Sequence, residues 1–193
     1  MEMIEVFKKN KALLQGHFLL SSGLHSEYYM QSALLLQNPK LAEKLAKIIA
    51  RKVKLIRKKI DLVVSPAIGG IVIGQEIARG IGGKCRAIFT ERDSRSNEMI
   101  LRRGFDIKPG EIAVVVEDVI TTGGTTRELI NLVDRYEARL VAVCSLVDRS
   151  GGKAEFKVPK VSLLSMDIKA YNESECPFCR QNIPVVKPGS KKR

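Results

Sequence analysis

The chain has 193 residues, 45% of them apolar and 28% charged, with 15 glycines and 7 prolines; this ordinary globular composition excludes a disordered or collagenous polymer. Its 33 basic and 21 acidic residues leave a net charge of +12, which suits a polyanion (nucleic acid or a ligand with several phosphates) or is merely solvated surface. No apolar run approaches the roughly 18–20 residues that cross a bilayer, and the N-terminus lacks a signal peptide's apolar block, so no membrane partner and a cytoplasmic location are expected.

Residues 3–15 space Ile4, Phe7, Leu13 and Leu14 as a helix does. HFLLSSGLHSEYYMQ (17–31) then reads as two short strands around a Ser-Ser-Gly turn. A second helix is expected over 39–58, with Leu41, Leu45, Ile48, Ile49, Val53 and Ile56 on one face and the lysines of RKVKLIRKK on the other. From residue 61 the pattern changes to short β-branched runs: DLVVSPAIGG (61–70), KCRAIFTE (84–91), EIAVVVED (111–118), RLVAVCSLVD (139–148) and KVSLLSM (160–166). Runs this continuous belong to strands buried on both faces. Helical patterns at about 70–80 and 124–136 separate them, giving an α/β fold: a doubly wound parallel sheet flanked by helices. One domain is expected over 1–193, with a core at about 60–168, a small hood from about 1–38 and 169–193, and a loose tail, VKPGSKKR.

Ligands of such sheets bind beyond the carboxyl ends of the strands, so those ends carry the chemistry. The first core strand closes on Ser65-Pro-Ala67-Ile68-Gly69-Gly70 and the fourth on Asp148-Arg149-Ser-Gly-Gly. The third closes on Glu117-Asp118-Val119-Ile120-Thr121-Thr122-Gly123-Gly124-Thr125. Glycines there let the backbone approach an anion, hydroxyls add donors, and the next helix contributes its unpaired N–H groups. That describes a phosphate site, and it is neither a Walker loop nor a dinucleotide fingerprint. The two carboxylates before it could cap the helix, but a cap accounts for one acid and not two.

VVVEDVITTGGTT (114–126) resembles the signature of the type I phosphoribosyltransferases. Within that family the match is closest to the orotate-using branch, through GHFLLSSGLHSEYYMQ, SPAIGGIVIGQEIA, VDRSGG and the ending ECPFCRQNIPVVKPGS. The resemblance implies transfer of the phosphoribosyl group of 5-phosphoribosyl 1-pyrophosphate (PRPP) to orotate, giving orotidine 5′-monophosphate and pyrophosphate in pyrimidine biosynthesis. It implies that Glu117 and Asp118 hold the ribose hydroxyls, Thr121, Thr122, Gly123, Gly124 and Thr125 take the 5-phosphate, Val119 and Ile120 belong to the same PRPP site, and Ala67, Ile68, Gly69 and Gly70 approach the pyrophosphate. Arg149, Thr121 and the Ser21-Ser22-Gly23 turn would meet orotate. It further implies Mg²⁺ held mainly by PRPP and water, with no metal ligand from the protein itself, and a homodimer whose lid reaches the partner's site.

The lid would be TERDSRSNEMILRRG (90–104), with Arg92 and Arg95 as the catalytic charges over the pyrophosphate. The branch's usual lid carries two lysines and a histidine; here Arg95 stands where the later lysine falls and Asn97 near the histidine's place.

Arg149 has an alternative role as a structural partner of Asp148, and Arg92 and Arg95 one as a solvated loop face. Transfer to another base, or an RNA-binding regulator on the same fold, would share these motifs. Low aromatic content, 5%, speaks against nucleic acid as a partner. His17 and His25 flank the turn and read as structural or surface residues. Cys176-Pro-Phe-Cys179 is a single CxxC, a free or redox-labile pair, or half of a metal site that Cys144 or a partner subunit would complete.

Overall fold

A computed structural model describes residues 2–20 and 22–188. They divide into two compact units, Met1–Leu35 with Asp167–Arg193, and Leu36–Met166.

The larger unit is built on a six-stranded sheet. Its strands are β3 (Leu62–Pro66), β4 (Arg86–Arg92), β5 (Met99–Leu101), β6 (Ile112–Ile120), β7 (Arg139–Asp148) and β8 (Lys160–Ser165), in the order β5-β4-β3-β6-β7-β8. All neighbours run parallel except β5, which pairs antiparallel with β4 at the edge. The continuous apolar runs are explained by burial of both faces. Leu62, Val64, Ala113, Val115 and Val143 pack with Leu129, Leu132 and Val133 of helix α5 (Gly124–Arg135). Val63 instead faces Gly74 of helix α4 (Gly69–Ile81), which stacks on α3 (Pro39–Ile56). Asn38 caps α3 by accepting from the Leu41 N–H, and Pro39 follows it with φ already suited to a first turn.

In the smaller unit, helix α1 (Met3–Lys9) is shorter than the periodicity predicts. Lys11 takes a left-handed φ of 55°, which stops the helix, and Leu13 and Leu14 enter strand β1 (Leu13–Leu19) instead. Leu13 and Leu14 fit either element, and the break decides between them. β1 pairs antiparallel with β2 (His25–Met30), and β9 (Ala170–Tyr171) adds to β2. A one-turn helix α2 (Ala33–Leu36) follows β2, and a 3₁₀ turn (Glu173–Glu175) leads to helix α6 (Pro177–Arg180). Part of the tail, 189–193, lies outside the described residues. No helix among the described residues is long and apolar enough to cross a membrane.

Candidate active site

β6 runs on to Ile120, so Glu117 and Asp118 stand within the strand's last turn of pleat and not in the loop after it. Register places Glu117 beside Ser145 and Ile120 beside Asp148 of β7. The Arg149 N–H then donates to the Ile120 carbonyl at 2.8 Å, which brings the Arg149 backbone to the head of the 121–124 loop. β3 flanks β6 on its other side, with Val64 opposite Val115. Three of the predicted strand ends therefore converge.

The loop enters α5 through Gly123, whose φ of 80° is left-handed; a Cβ there would also meet the Arg127 guanidinium at 3.0 Å and the Phe156 ring at 3.1 Å. Glycine is required on both counts. No side chain caps α5, and its first turn holds no acidic residue. Thr121, Thr122 and Gly124 at its head are exposed. This is the arrangement of a helix N-terminus open to a phosphate.

Glu117 accepts a short hydrogen bond from the hydroxyl of Thr126, a fully buried residue in the first turn of α5. Burial pushes the Glu117 carboxyl up to about 7; the Thr126 hydroxyl opposes the shift, and Asp118 and Glu128 add to it. Asp118 lies against the start of α4: a Cβ on Gly69 would come within 2.6 Å of its carboxylate. A Cβ on Gly70 would meet Pro66 at 2.7 Å. The peptide between Ala67 and Ile68 is cis, Ala67 donates to the Thr90 carbonyl at 2.8 Å, and Ile68 is exposed. The 67–70 turn is therefore seated directly beside the acidic pair.

Asp148 is not the partner of Arg149. It is buried, accepts from Lys160 Nζ at 2.6 Å and from the Ser150 N–H at 2.9 Å. Burial works against its charge, but Lys160 and Ser150 hold its carboxyl below the ordinary range. Arg149 Nε is buried with no hydrogen-bond partner among the described residues, and burial pulls its guanidinium below its ordinary value. A guanidinium N–H withdrawn from water without an acceptor points to an acceptor supplied from outside the chain.

Residues 31–177 match the phosphoribosyl transferase domain family. The chain is 49% identical to an orotate phosphoribosyltransferase of Carboxydothermus hydrogenoformans, over 100% of this chain and 98% of that one. It is also 49% identical to one of Caldicellulosiruptor bescii, over 98% and 97%. The chain belongs to the orotate phosphoribosyltransferase family. Among solved structures, the orotate phosphoribosyltransferase of Aeropyrum pernix superposes with a TM-score of 0.68 at 25% identity, over 84% of this chain and 93% of that one.

Against the family's lid, the 90–104 segment of this chain is mostly a hairpin. β4 and β5 pair from Thr90 with Leu101 to Arg92 with Met99, leaving 93–98 as its tip. Asp93 organises the tip by accepting from the N–H groups of Arg95 and Ser96, both at 2.9 Å, and from Arg102 Nη2 at 2.8 Å. Arg92 pairs with Glu128 of α5 at 3.1 Å, and Arg103 with Glu91 at 2.7 Å. Arg95 is exposed and has no ion pair among the described residues. So of the two predicted lid charges, one is engaged by α5 and one is not.

Ser22 and Gly23 lie in the β1–β2 turn of the smaller unit, Gly23 with φ of 82°; Ser21 lies outside the described residues. A cleft of about 580 Å³ lined by Arg127, Ile130, Asn131, Asp134 and Phe156 contains none of the residues selected from sequence. Two features escaped sequence reading: Thr126 as the hydrogen-bond donor to Glu117, and Lys160 as the partner of Asp148. The first was within reach, since Thr126 closes the quoted signature.

Proposed function

We infer that this chain is an orotate phosphoribosyltransferase, moving the 5-phosphoribosyl group of PRPP to orotate and releasing pyrophosphate. Full-length identity of 49% to orotate phosphoribosyltransferases carries the assignment, and the acceptor-less Arg149 Nε supports it within the site. A planar, anionic pyrimidine carboxylate is the acceptor that a guanidinium fork suits.

The 5-phosphate sits on Thr121 to Thr125, where exposed hydroxyls and the uncapped start of α5 supply donors. Glu117 and Asp118 receive the ribose hydroxyls. As the C1–O bond to pyrophosphate breaks, the ribose ring gains positive charge before the orotate nitrogen completes the new bond to C1. Fixed carboxylates beside the ring stabilise a charge that exists mainly in that transition state. The backbone of Ala67 to Gly70 approaches the pyrophosphate, with Gly69 packed so close to Asp118 that a Cβ there would meet its carboxylate. Arg92 and Arg95 cover the leaving group; Arg92 must first leave Glu128, an exposed pair of small worth.

Phosphoribosyltransferases use Mg²⁺ with PRPP, and the ion would be held mainly by PRPP and water, as Mg²⁺ is where a ligand supplies phosphate oxygens. When bound it neutralises pyrophosphate charge. The molecule works as a cytoplasmic homodimer in which the β4–β5 tip serves the partner's site.

The test is a base panel with PRPP and Mg²⁺. Orotate is consumed, while adenine, hypoxanthine and uracil are not; equal or faster turnover of another base overturns the reading. Arg149→Lys raises KM for orotate by about 10- to 100-fold, the value of a charged hydrogen bond lost, and leaves KM for PRPP near its original value.

A further inference from the structure

We propose that His17, His25, Cys176 and Cys179 form a structural zinc site that fastens the C-terminal segment to the N-terminal hairpin. The four ligand atoms lie within 4.8 Å of one another. His17 Nε2 is 3.5 Å from Cys176 Sγ, 3.7 Å from Cys179 Sγ and 2.7 Å from His25 Nδ1, and Cys179 Sγ is 3.3 Å from His25 Nδ1. A tetrahedral Zn²⁺ with bonds of about 2.3 Å to sulfur and 2.0–2.1 Å to nitrogen sets neighbouring ligand atoms about 3.3–3.8 Å apart. Three of these four distances fall in that range; the imidazole pair needs to open by about 0.6 Å, and the widest of the six pairs, 4.8 Å, to close by about 1 Å.

The surroundings favour a metal over a chance cluster. His17 Nδ1 lies 2.7 Å from the Ile183 carbonyl, so it carries the proton and leaves the Nε2 lone pair aimed at the other three donors, the orientation a metal-ligating histidine is given. His17, His25 and Cys176 are buried, and the Phe178 ring stacks on His17 at 5.5 Å. Both cysteines are free thiols. The hairpin itself is shaped for the job. Register slips between Gln15 and Phe18, so Gly16 and His17 together oppose one residue of β2. Such a bulge re-aims a side chain. Without it His17 and Phe18 would point to opposite faces; here both are buried. The segment after α6 follows His17 closely, with the Val186 N–H donating to the His17 carbonyl at 2.8 Å and the Leu19 N–H to that of Val186 at 2.9 Å.

Two thiolates and two imidazoles are a donor set that selects zinc, and four protein ligands close the coordination sphere, which marks a structural rather than a catalytic ion. Cys144, the sequence's candidate to complete the CxxC, lies on β7 in the other unit, and burial pushes its thiol to about 12. The histidines replace it. This inference stands apart from the reaction assigned above, since its readout is metal content.

The full-length protein, purified without chelator under reducing conditions, is assayed for zinc by mass spectrometry of the elements. About one zinc per chain is expected, and less than about a fifth of that in Cys179→Ser and in His25→Ala. Should those variants fold poorly, the unaltered chain stripped and reloaded with Co²⁺ shows the thiolate charge-transfer band and the intense visible bands of a tetrahedral S₂N₂ site. A chain that takes up neither ion, a Cys176–Cys179 disulfide under the same reducing conditions, or zinc that persists in a His25→Ala/Cys179→Ser double variant overturns the proposal.

Discussion

The end of β6 and the β4–β5 hairpin were both selected from sequence as site regions, and the structure treats them differently. Glu117 is held by a fully buried partner, Thr126 inside the first turn of α5, and Asp118 is packed against the backbone of Gly69 at the start of α4. The arginines of the hairpin are held by ion pairs at the surface, to the part-exposed Glu128, Asp93 and Glu91. Positions set by packing cost much to disturb, while exposed ion pairs are worth about 0–1 kcal/mol each. A site that must present charges to a ribose before reaction, and arginines to pyrophosphate only once it is bound, gains from this division.

The sharpest way to break the contrast is Asp118→Asn. It removes a charge without changing shape, so kcat falls by about 10²- to 10³-fold with the melting temperature unchanged; a normal rate would reduce the strand end to a structural feature. Gly69→Ala comes next. Its methyl must displace the Asp118 carboxylate, lowering kcat/KM for PRPP by about 10- to 100-fold while secondary structure is kept. Unchanged kinetics would mean that the turn's approach to Asp118 has no bearing on PRPP.

A smaller effect is expected with pH. Because burial raises Glu117 from 4.5 to about 7, the carboxylate proposed to receive the ribose hydroxyls is lost on acidification. Below about 7, kcat/KM for PRPP falls toward tenfold per pH unit, a dependence that Glu117→Gln removes. Stability moves the opposite way. Between 4.5 and about 7 the folded chain keeps a proton that the unfolded chain has released, so this group's contribution to stability declines as pH rises through that window. Smallest of all is Glu128→Gln, which frees Arg92 at a cost of less than about 1 kcal/mol in stability. Pyrophosphate release or PRPP capture then changes by a few-fold; a large loss of stability would show that the hairpin is anchored as firmly as the strand end.

Much of the fold was legible because its signals are local. Continuous β-branched runs between helical periods belong to a parallel sheet wherever they occur, and β3, β4, β6, β7 and β8 all follow them. β5 did not announce itself: three residues, Met-Ile-Leu, are too few to carry a period. The 3–15 helix was overextended because Leu13 and Leu14 satisfy its spacing equally well as strand residues, and only the backbone at Lys11 separates the two.

By itself, then, the sequence determined the layered core, the acidic pair and the phosphate loop, since each is written within about a dozen consecutive residues and depends on backbone geometry that those residues impose. Tertiary structure alone decided which partners these groups have. Gly69 meets Asp118, Lys160 takes Asp148 and leaves Arg149 Nε without an acceptor among the described residues, and Arg92 finds Glu128. It also brought His17 and His25 to a CxxC some 159 positions along the chain from the first of them. Contacts of that kind depend on how buried faces stack, and no local pattern encodes the meeting of segments so far apart.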